Sequence, residues 1–418
     1  MPLPLSLRAF VADTPAAPRR AAAAAVTASE PADDHLLVEV YEAAAMAAWR
    51  EAWAELAGRA LEPNAFMEPD FALTLAEHLP MTERPAFITV RSLPADGPHR
   101  LVGLCPVVRE RAWLGLRLSI WRHDLVALGL PLLDRHHAVP ALVAILDWIR
   151  REHPRCLALQ AEMVPAEGPT LHALRQAAAA SARPLRLIDP RRRAMLEHGA
   201  GAAGGLAALS PRRRKEALRQ RRRLADGGAL SYVSTTGAAE VAIALERFLD
   251  LEAAGWKGGR GTALKLDPAR AAFTRAMTAA MAAGGCVRID SLDRNGPPLA
   301  MGIVLSSGGR DFFWKMAYAE DQAALSPGVQ FVLELTERQA ARSGTAATDS
   351  CALPDHSMID RLWPGRLGLV DVAIGLRPGR TVSFEAFMLI EAARRRIRAL
   401  AKRAVATLRK RVRPRPSR

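Results

Sequence analysis

Arg310-Asp-Phe-Phe-Trp-Lys-Met-Ala-Tyr318 is followed, after a polar break, by Ser326-Pro-Gly-Val-Gln330, a helical repeat from Phe331 to Arg342, and Thr345-Ala-Ala-Thr-Asp-Ser350. Phe312 to Tyr318 is aromatic and apolar over a strand's length, while Phe331, Leu335, Arg338 and Arg342 recur at helical spacing. The order is strand, loop, helix, strand. Ser326 suits an N-cap, Pro327 the first helical position, where a missing N–H costs nothing, and Gly328 lets a ligand approach the main chain. The spacing predicts that the N–H groups of Gly328, Val329 and Gln330 face the loop and favour an anion, beside a strand end at Lys315, Met316 and Ala317 that offers main-chain groups to an extended ligand. A pantetheine arm attached to a pyrophosphate meets both demands. An ordinary β-α connection with a capped helix carries the same signature.

Upstream, Val287 to Leu292 and Leu299 to Leu305 flank Asp293-Arg-Asn-Gly-Pro, a hairpin signal. Helices are expected over Glu240 to Ala254, over Pro268 to Ala283, and from Ser210-Pro211 to Asp226-Gly-Gly228, with a strand over Leu230 to Ser234. The first half reads alike: a helix over Leu36 to Leu56, another over Asp70 to Leu79, a hairpin of Ala86 to Arg91 with Leu101 to Arg109, then a strand over Ser119 to Leu125. A helix over Ala138 to Arg151, a strand over Cys156 to Ala161 and a helix over Pro165 to Ala182 follow. Pro190-Arg-Arg-Arg193 and Gly199-Ala-Gly-Ala-Ala-Gly-Gly205 read as a boundary. The repeated order predicts an α/β (α+β) protein of two domains of like fold, over 35–195 and 206–378; chance alternation of helices and strands gives the same order. An Ala/Pro-rich arm over 1–34 has too few large side chains to offset its ordering entropy and is expected to be disordered.

The chain has 418 residues, half of them apolar, so core material is not limiting. Its net charge of +15 and pI near 10.7 favour nucleic acid, anionic lipid or phosphorylated substrates without choosing among them. Nucleic acid is the least expected, because no recognised motif is present and few aromatics lie near the basic runs. Cys105, Cys156, Cys286 and Cys351 form no C-x-x-C pair and no cluster at zinc spacing, as in a reduced cytosolic protein. No signal-peptide pattern appears and no run reaches about 18 apolar residues, so a cytoplasmic protein is expected. No Ser/His/Asp order, nucleophile elbow, Walker loop or metal motif stands out, and neither covalent nor metal-dependent chemistry is expected.

Leu251-Glu-Ala-Ala-Gly-Trp-Lys-Gly-Gly-Arg-Gly-Thr-Ala263, with Phe313-Trp-Lys-Met-Ala-Tyr318, Ser326-Pro-Gly328 and Asp355-His-Ser-Met-Ile-Asp-Arg-Leu-Trp363, resembles the CelD-like branch of the GNAT acetyltransferases. That branch is similar to the Fem-type transferases, which carry two GNAT folds in tandem. Trp121-Arg-His-Asp124 and Leu128-Gly-Leu-Pro-Leu-Leu-Asp134 fit its first-domain pattern, so the resemblance covers about residues 35 to 378. It implies two tandem GNAT folds with mixed central sheets, the second of them active. The implied reaction moves an acyl group from acetyl-CoA or another acyl-CoA to a small-molecule or nucleotide-linked amine, in cellulose or exopolysaccharide synthesis. GNAT enzymes grip the CoA pyrophosphate with Arg/Gln-x-x-Gly-x-Gly/Ala; this chain reads Ser326-Pro-Gly-Val-Gln-Phe331, with one glycine where two are usual. The alternative is a catalytically silent scaffold protein of a polysaccharide-producing complex.

By analogy with that family Tyr318 protonates the leaving thiolate, and Asp349 or His356, just past the strand after the cofactor helix, accepts the amine's proton. Tyr318 equally suits a packed strand aromatic, and Asp355 a helix cap. Lys315, Met316, Ala317, Ser326, Gly328, Val329 and Gln330 are the cofactor-binding candidates. Trp256, Lys257 and Arg260 combine a flat ring, two cations and flexible glycines, which suits a loop closing on an anionic or sugar-like ligand; a helix-ending turn with Trp256 in the core is the plainer reading. Arg219 and Arg222 belong to a helix with eight cations, a phosphate grip or a solvated charged face. Within 379–418, Phe384, Phe387, Met388, Ile390, Ile397, Leu400, Ala401, Val405 and Leu408 form an apolar stripe opposite Arg394 to Arg396, Arg398, Lys402, Arg403, Arg409 and Lys410. This basic amphipathic helix is expected either on the anionic inner face of a membrane or against the second domain.

Overall fold

The computed structural model describes residues 35–80, 83–94, 97–112, 115–199 and 204–412; the arm over 1–34 lies outside them. Its strands are β1 (His35–Glu42), β2 (Ala86–Leu93), β3 (Arg100–Ala112), β4 (Gly115–Ile120), β5 (Leu132–Leu133), β6 (Cys156–Pro165), β7 (Leu185–Glu197), β8 (Leu230–Thr235), β9 (Val287–Arg294), β10 (Pro298–Ser307), β11 (Arg310–Tyr318), β12 (Ala347–Asp349) and β13 (Gly365–Gly375). Its helices are α1 (Arg50–Gly58), α2 (Pro69–His78), α3 (Ala138–Glu152), α4 (Pro169–Ala180), α5 (Pro211–Asp226), α6 (Ala238–Ala254), α7 (Trp256–Gly259), α8 (Pro268–Ala283), α9 (Pro327–Ala340), α10 (Ile359–Leu362) and α11 (Val382–Val412).

The strands form one mixed sheet in the order β1-β2-β3-β4-β6-β13-β7-β12-β11-β10-β9-β8, with β5 beside β3. Its two parallel pairs, β4 with β6 and β11 with β12, occupy the same place in each half. The final strands are exchanged: β13 lies between β6 and β7, and β7 lies between β13 and β12. Helices α6 and α8 cover one face of β9–β11 and α9 covers the other, while α2 packs on α8 across the two halves. An aromatic cluster fills that junction, with Phe66 against Phe312 at 5.5 Å, Phe71 against Phe273 at 5.4 Å and Phe71 against Trp314 at 6.0 Å between ring centres. Edge-to-face rings of this kind add to the area they bury.

Three local expectations need correction. The segment Leu36 to Tyr41 is a strand, not the start of a helix, because its Leu-Leu-Val-Glu-Val-Tyr run is rich in strand formers and pairs with β2 from His35 opposite Leu93 to Glu42 opposite Ala86. The expected strand over Ser119 to Leu125 sits earlier, as β4. Pro190 to Arg193, read as a boundary, lies inside the 13-residue strand β7. Its arginines are tolerated there because acids from distant segments meet them, Asp371 for Arg191 and Asp349 for Arg193.

Helix α11 runs on from β13, and its first turns pack on the protein. Phe384 and Phe387 are buried against Ala158 of β6 and Ala373 of β13. Glu391 pairs with Arg117 at 3.0 Å, and Arg395 with Asp371 at 2.9 Å. This part of the apolar stripe covers the exchanged strands and not a membrane. From Arg396 on the exposure rises, with Ile397 66% and Leu400 63% exposed. The side chains of Arg398, Lys402, Arg403, Val405, Leu408, Arg409 and Lys410 lie outside those described. No described helix is long and apolar enough to cross a membrane.

Candidate active site

Strand β11 is built to fork from its neighbour. It pairs with β12 only from Arg310 opposite Ala347 to Phe312 opposite Asp349. Further along, its register with β10 slips: Ile303 faces Lys315 while Val304 faces Phe313, so Trp314 is the extra residue of a β-bulge. Side-chain alternation reverses there. Phe312 and Trp314 belong to the core under α6 and α8, Phe313 to the core under α9; past the bulge Ala317 joins the first core, and Met316 and Tyr318 border the second. Trp314 and Lys315 are therefore successive residues on the α6 side.

The fork encloses a cavity of about 460 Å³. One wall is β11 from Phe313 to Tyr318, the second is Leu251 and Glu252 of α6 with Gly255, Trp256 and Lys257, and the third is Ser350 to Ala352 with His356 to Ile359. Lys257 donates to Glu252 Oε1 at 2.6 Å and to the Met316 carbonyl at 3.2 Å. Glu252, 3% exposed, accepts the Leu264 N–H through its other oxygen at 2.7 Å. The Lys315 ammonium lies 5.3 Å from the centre of the Trp314 ring. Burial, reinforced by the nearby Lys257 charge, lowers its pKa to about 8. Since Met316 turns its carbonyl to the open edge, strand alternation puts its N–H there too.

The structure brings together Trp256, Lys257, Lys315, Met316, Ala317, Tyr318 and His356. Trp256 is 43% exposed, not buried in the core, and Arg260 stacks on it at 4.9 Å; Arg260 is not part of the wall. His356 accepts the Ile359 N–H at 3.4 Å through Nδ1, at the start of α10.

Other candidates fall elsewhere. Asp349 is fully buried and ion-paired with Arg193, and it accepts the Cys351 N–H at 2.9 Å. Its carboxylate has no access to an acceptor amine, which corrects its expected catalytic role. Ser326 precedes α9 in the left-handed region at φ 52°, but its side chain caps nothing. Its carbonyl accepts the N–H groups of Val329 at 3.0 Å and Gln330 at 3.2 Å, so two of the three donors expected for an anion are occupied. The Gln330 side chain donates to the Ala217 carbonyl at 3.0 Å and serves helix packing. Gly328 lies against β11, where a Cβ would stand 3.0 Å from Met316 Cε and 3.4 Å from Tyr318 Cδ1. Arg219 is spent on Glu216 at 2.8 Å and 2.9 Å, and Arg222 is exposed and lines neither this cavity nor the groove beside α5.

Sequence reasoning overlooked Glu252 and the side chain of Lys315. The signal for Lys315 was a cation inside the otherwise aromatic and apolar run from Phe312 to Tyr318, a placement that has to be matched by a polar environment.

Residues 211–351 match a family model described as an acetyltransferase (GNAT) domain. No curated protein matches the chain. Among solved structures the chain is similar to FemX, with 11% identity over 78% of this chain and 95% of that one and a TM-score of 0.51. It is also similar to the C-terminal domain of a putative lysylphosphatidylglycerol synthetase from Agrobacterium fabrum, at 9% identity over 82% and 95% of the two chains and a TM-score of 0.47. The matched segment is a GNAT domain within the mixed sheet, the chain as a whole shares its α/β architecture with FemX, and a basic helix follows the last strand.

Proposed function

We propose that the chain is an N-acyltransferase of the CelD-like branch, moving an acyl group from acetyl-CoA or a longer acyl-CoA to a small-molecule or nucleotide-linked amine in exopolysaccharide or cell-envelope synthesis. The observation that carries this reading is the fork at Trp314, which leaves an open strand edge beside a lysine held at a pKa of about 8. An acyl-CoA would supply an acyl carbon activated by its thiol leaving group. The cavity fits the acyl end, since one wall is the unpaired edge of β11 and the rest is mainly apolar.

Lys315, partly neutral near pH 8, accepts the proton that the attacking amine loses as the C–N bond forms. The Met316 N–H faces the position where negative charge develops on oxygen. Tyr318, on the same wall, supplies a proton to the sulfur as the C–S bond breaks. Glu252 fixes Lys257, and that charge helps hold the Lys315 pKa down. The exposed part of α11 past Arg395, with Arg396, Ile397 and Leu400, is the part we assign to contact with an anionic membrane surface.

Calorimetry with acetyl-CoA and longer acyl-CoAs tests the reading. Binding of at least one, with transfer to an amine that fails in Lys315→Met, is the expected result. Absence of binding at concentrations far above ordinary cofactor affinities removes it, and a Lys315→Met protein with full cellular function points instead to the silent scaffold.

A further inference from the structure

The basic helix α5 lies across the first turn of α9. Gln330 holds the Ala217 carbonyl, and Gln220 reaches the carbonyl of Ala324 at 3.4 Å. The place where main-chain N–H groups would meet a pyrophosphate is thus covered by a helix, and two of those groups are already bonded to Ser326. Beside it a groove of about 300 Å³ opens between α5, the start of α9 and α10. Ser357 and Met358 line both this groove and the cavity, so the two adjoin.

Two guanidinium groups serve the groove from opposite elements, Arg213 of α5 and Arg361 of α10. Among the described residues neither has a carboxylate partner, whereas their neighbours do: Arg219 pairs with Glu216 and Arg221 with Glu334. Glu216 also lines the groove, and its charge is balanced by Arg219. With Glu216 balanced by Arg219 and the rest of the lining neutral, two guanidinium groups without carboxylate partners leave a local positive excess that suits a phosphate ester, to which planar guanidinium binds by paired hydrogen bonds.

We propose that this groove takes the phosphate groups of the substrate whose reacting end lies in the cavity, with Arg213 and Arg361 replacing the glycine-loop donors. The inference rests on the acyl-transfer reading for the cavity end. The ligand chemistry is an organic diphosphate, carried either by the acyl donor or by a nucleotide-linked acceptor.

Calorimetry with CoA, UDP-glucosamine, inorganic pyrophosphate and S-acetylpantetheine tests it, on the wild type, Arg213→Ala/Arg361→Ala and the control Arg212→Ala/Arg222→Ala. The first double variant is expected to weaken pyrophosphate and one of the two nucleotides about tenfold or more, as the loss of charge-assisted bonds requires. The control removes the same charge from the same region and should stay within about twofold. Weakening for CoA assigns the groove to the donor, weakening for the UDP-sugar to the acceptor; both support it. S-acetylpantetheine, which has no phosphate, should bind all three proteins alike. If it binds none while pyrophosphate still depends on Arg213 and Arg361, the acyl-transfer reading fails and the groove stands. Unchanged phosphate affinities in the first variant, equal losses in the control, or no phosphate binding by the wild type overturn the groove.

Discussion

The indole N–H of Trp314 donates to the carbonyl of Leu125 at 2.9 Å, which fastens the bulge at the mouth of the fork to the other half of the chain. Asp124, one residue earlier, pairs with Arg270 of α8 at 2.8 Å and braces the same junction. Trp314→Phe keeps a ring in the aromatic cluster but leaves a buried carbonyl unpaired. A loss of about 1–3 kcal/mol is expected, read from the urea midpoint, with a larger fall in acyl transfer than in stability would explain. An unchanged midpoint would show that the bond contributes nothing.

Lys315 gives the same sign for two pH measurements. A free lysine titrates at 10.5 and this one at about 8, so between those values the unfolded chain holds more protons than the folded one. Stability should rise with pH across that window, and Lys315→Met should lose the rise. Transfer should also climb to a plateau above about pH 8, because the neutral amine is the base. Lys315→Arg stays charged, and turnover should fall about 100-fold or more with acyl-CoA affinity kept. A profile that declines above pH 8 would mean that the ammonium is the active form.

Arg193 and Asp349 make a test of structure against chemistry. Both are buried, and removing one partner strands the other's charge. Arg193→Met should cost about 3–5 kcal/mol, while the pair Arg193→Met/Asp349→Leu recovers much of it. A stable but inactive Asp349→Asn protein would restore the catalytic role withdrawn from this residue.

Truncation after Arg395 keeps Phe384, Phe387 and the Glu391 and Arg395 ion pairs and removes the exposed Arg396, Ile397 and Leu400 with all that follows them. The full chain should sediment with vesicles rich in phosphatidylglycerol but not with phosphatidylcholine alone, and salt should release it. The truncated chain should stay in the supernatant with an unchanged melting temperature. Equal sedimentation would transfer the attraction to the charge elsewhere on the surface.

The unit from β11 to β12 was legible because its signals are local: a run of aromatics, a Ser-Pro-Gly start and an apolar helical repeat. The hairpin of β9 and β10 was legible from Asn-Gly. Strand β7 was not, since Pro190 and Arg191 to Arg193 look like a boundary until Asp371 and Asp349 arrive from far along the chain. Strand β1 was hidden by apolar residues that fit a helix as well as a strand and run straight into helical turns. At the site, Lys315 was visible as a residue but its orientation was not, because that depends on a bulge fixed by pairing with β10. The covering of α9 by α5 likewise rests on Gln330 and Gln220, whose amides carry no hint of their partners in sequence.

The exchange of β7 and β13 also governs how the protein comes into being at the ribosome. When Leu185–Glu197 emerges, neither of its flanking strands, β12 and β13, has been synthesised. The leading half must therefore wait with β6 exposed along one edge, a condition that invites nonspecific strand pairing and chaperone capture. A premature stop anywhere before Gly375 would strand this nascent intermediate, so a truncated message should yield insoluble or rapidly degraded product instead of a working N-terminal fragment.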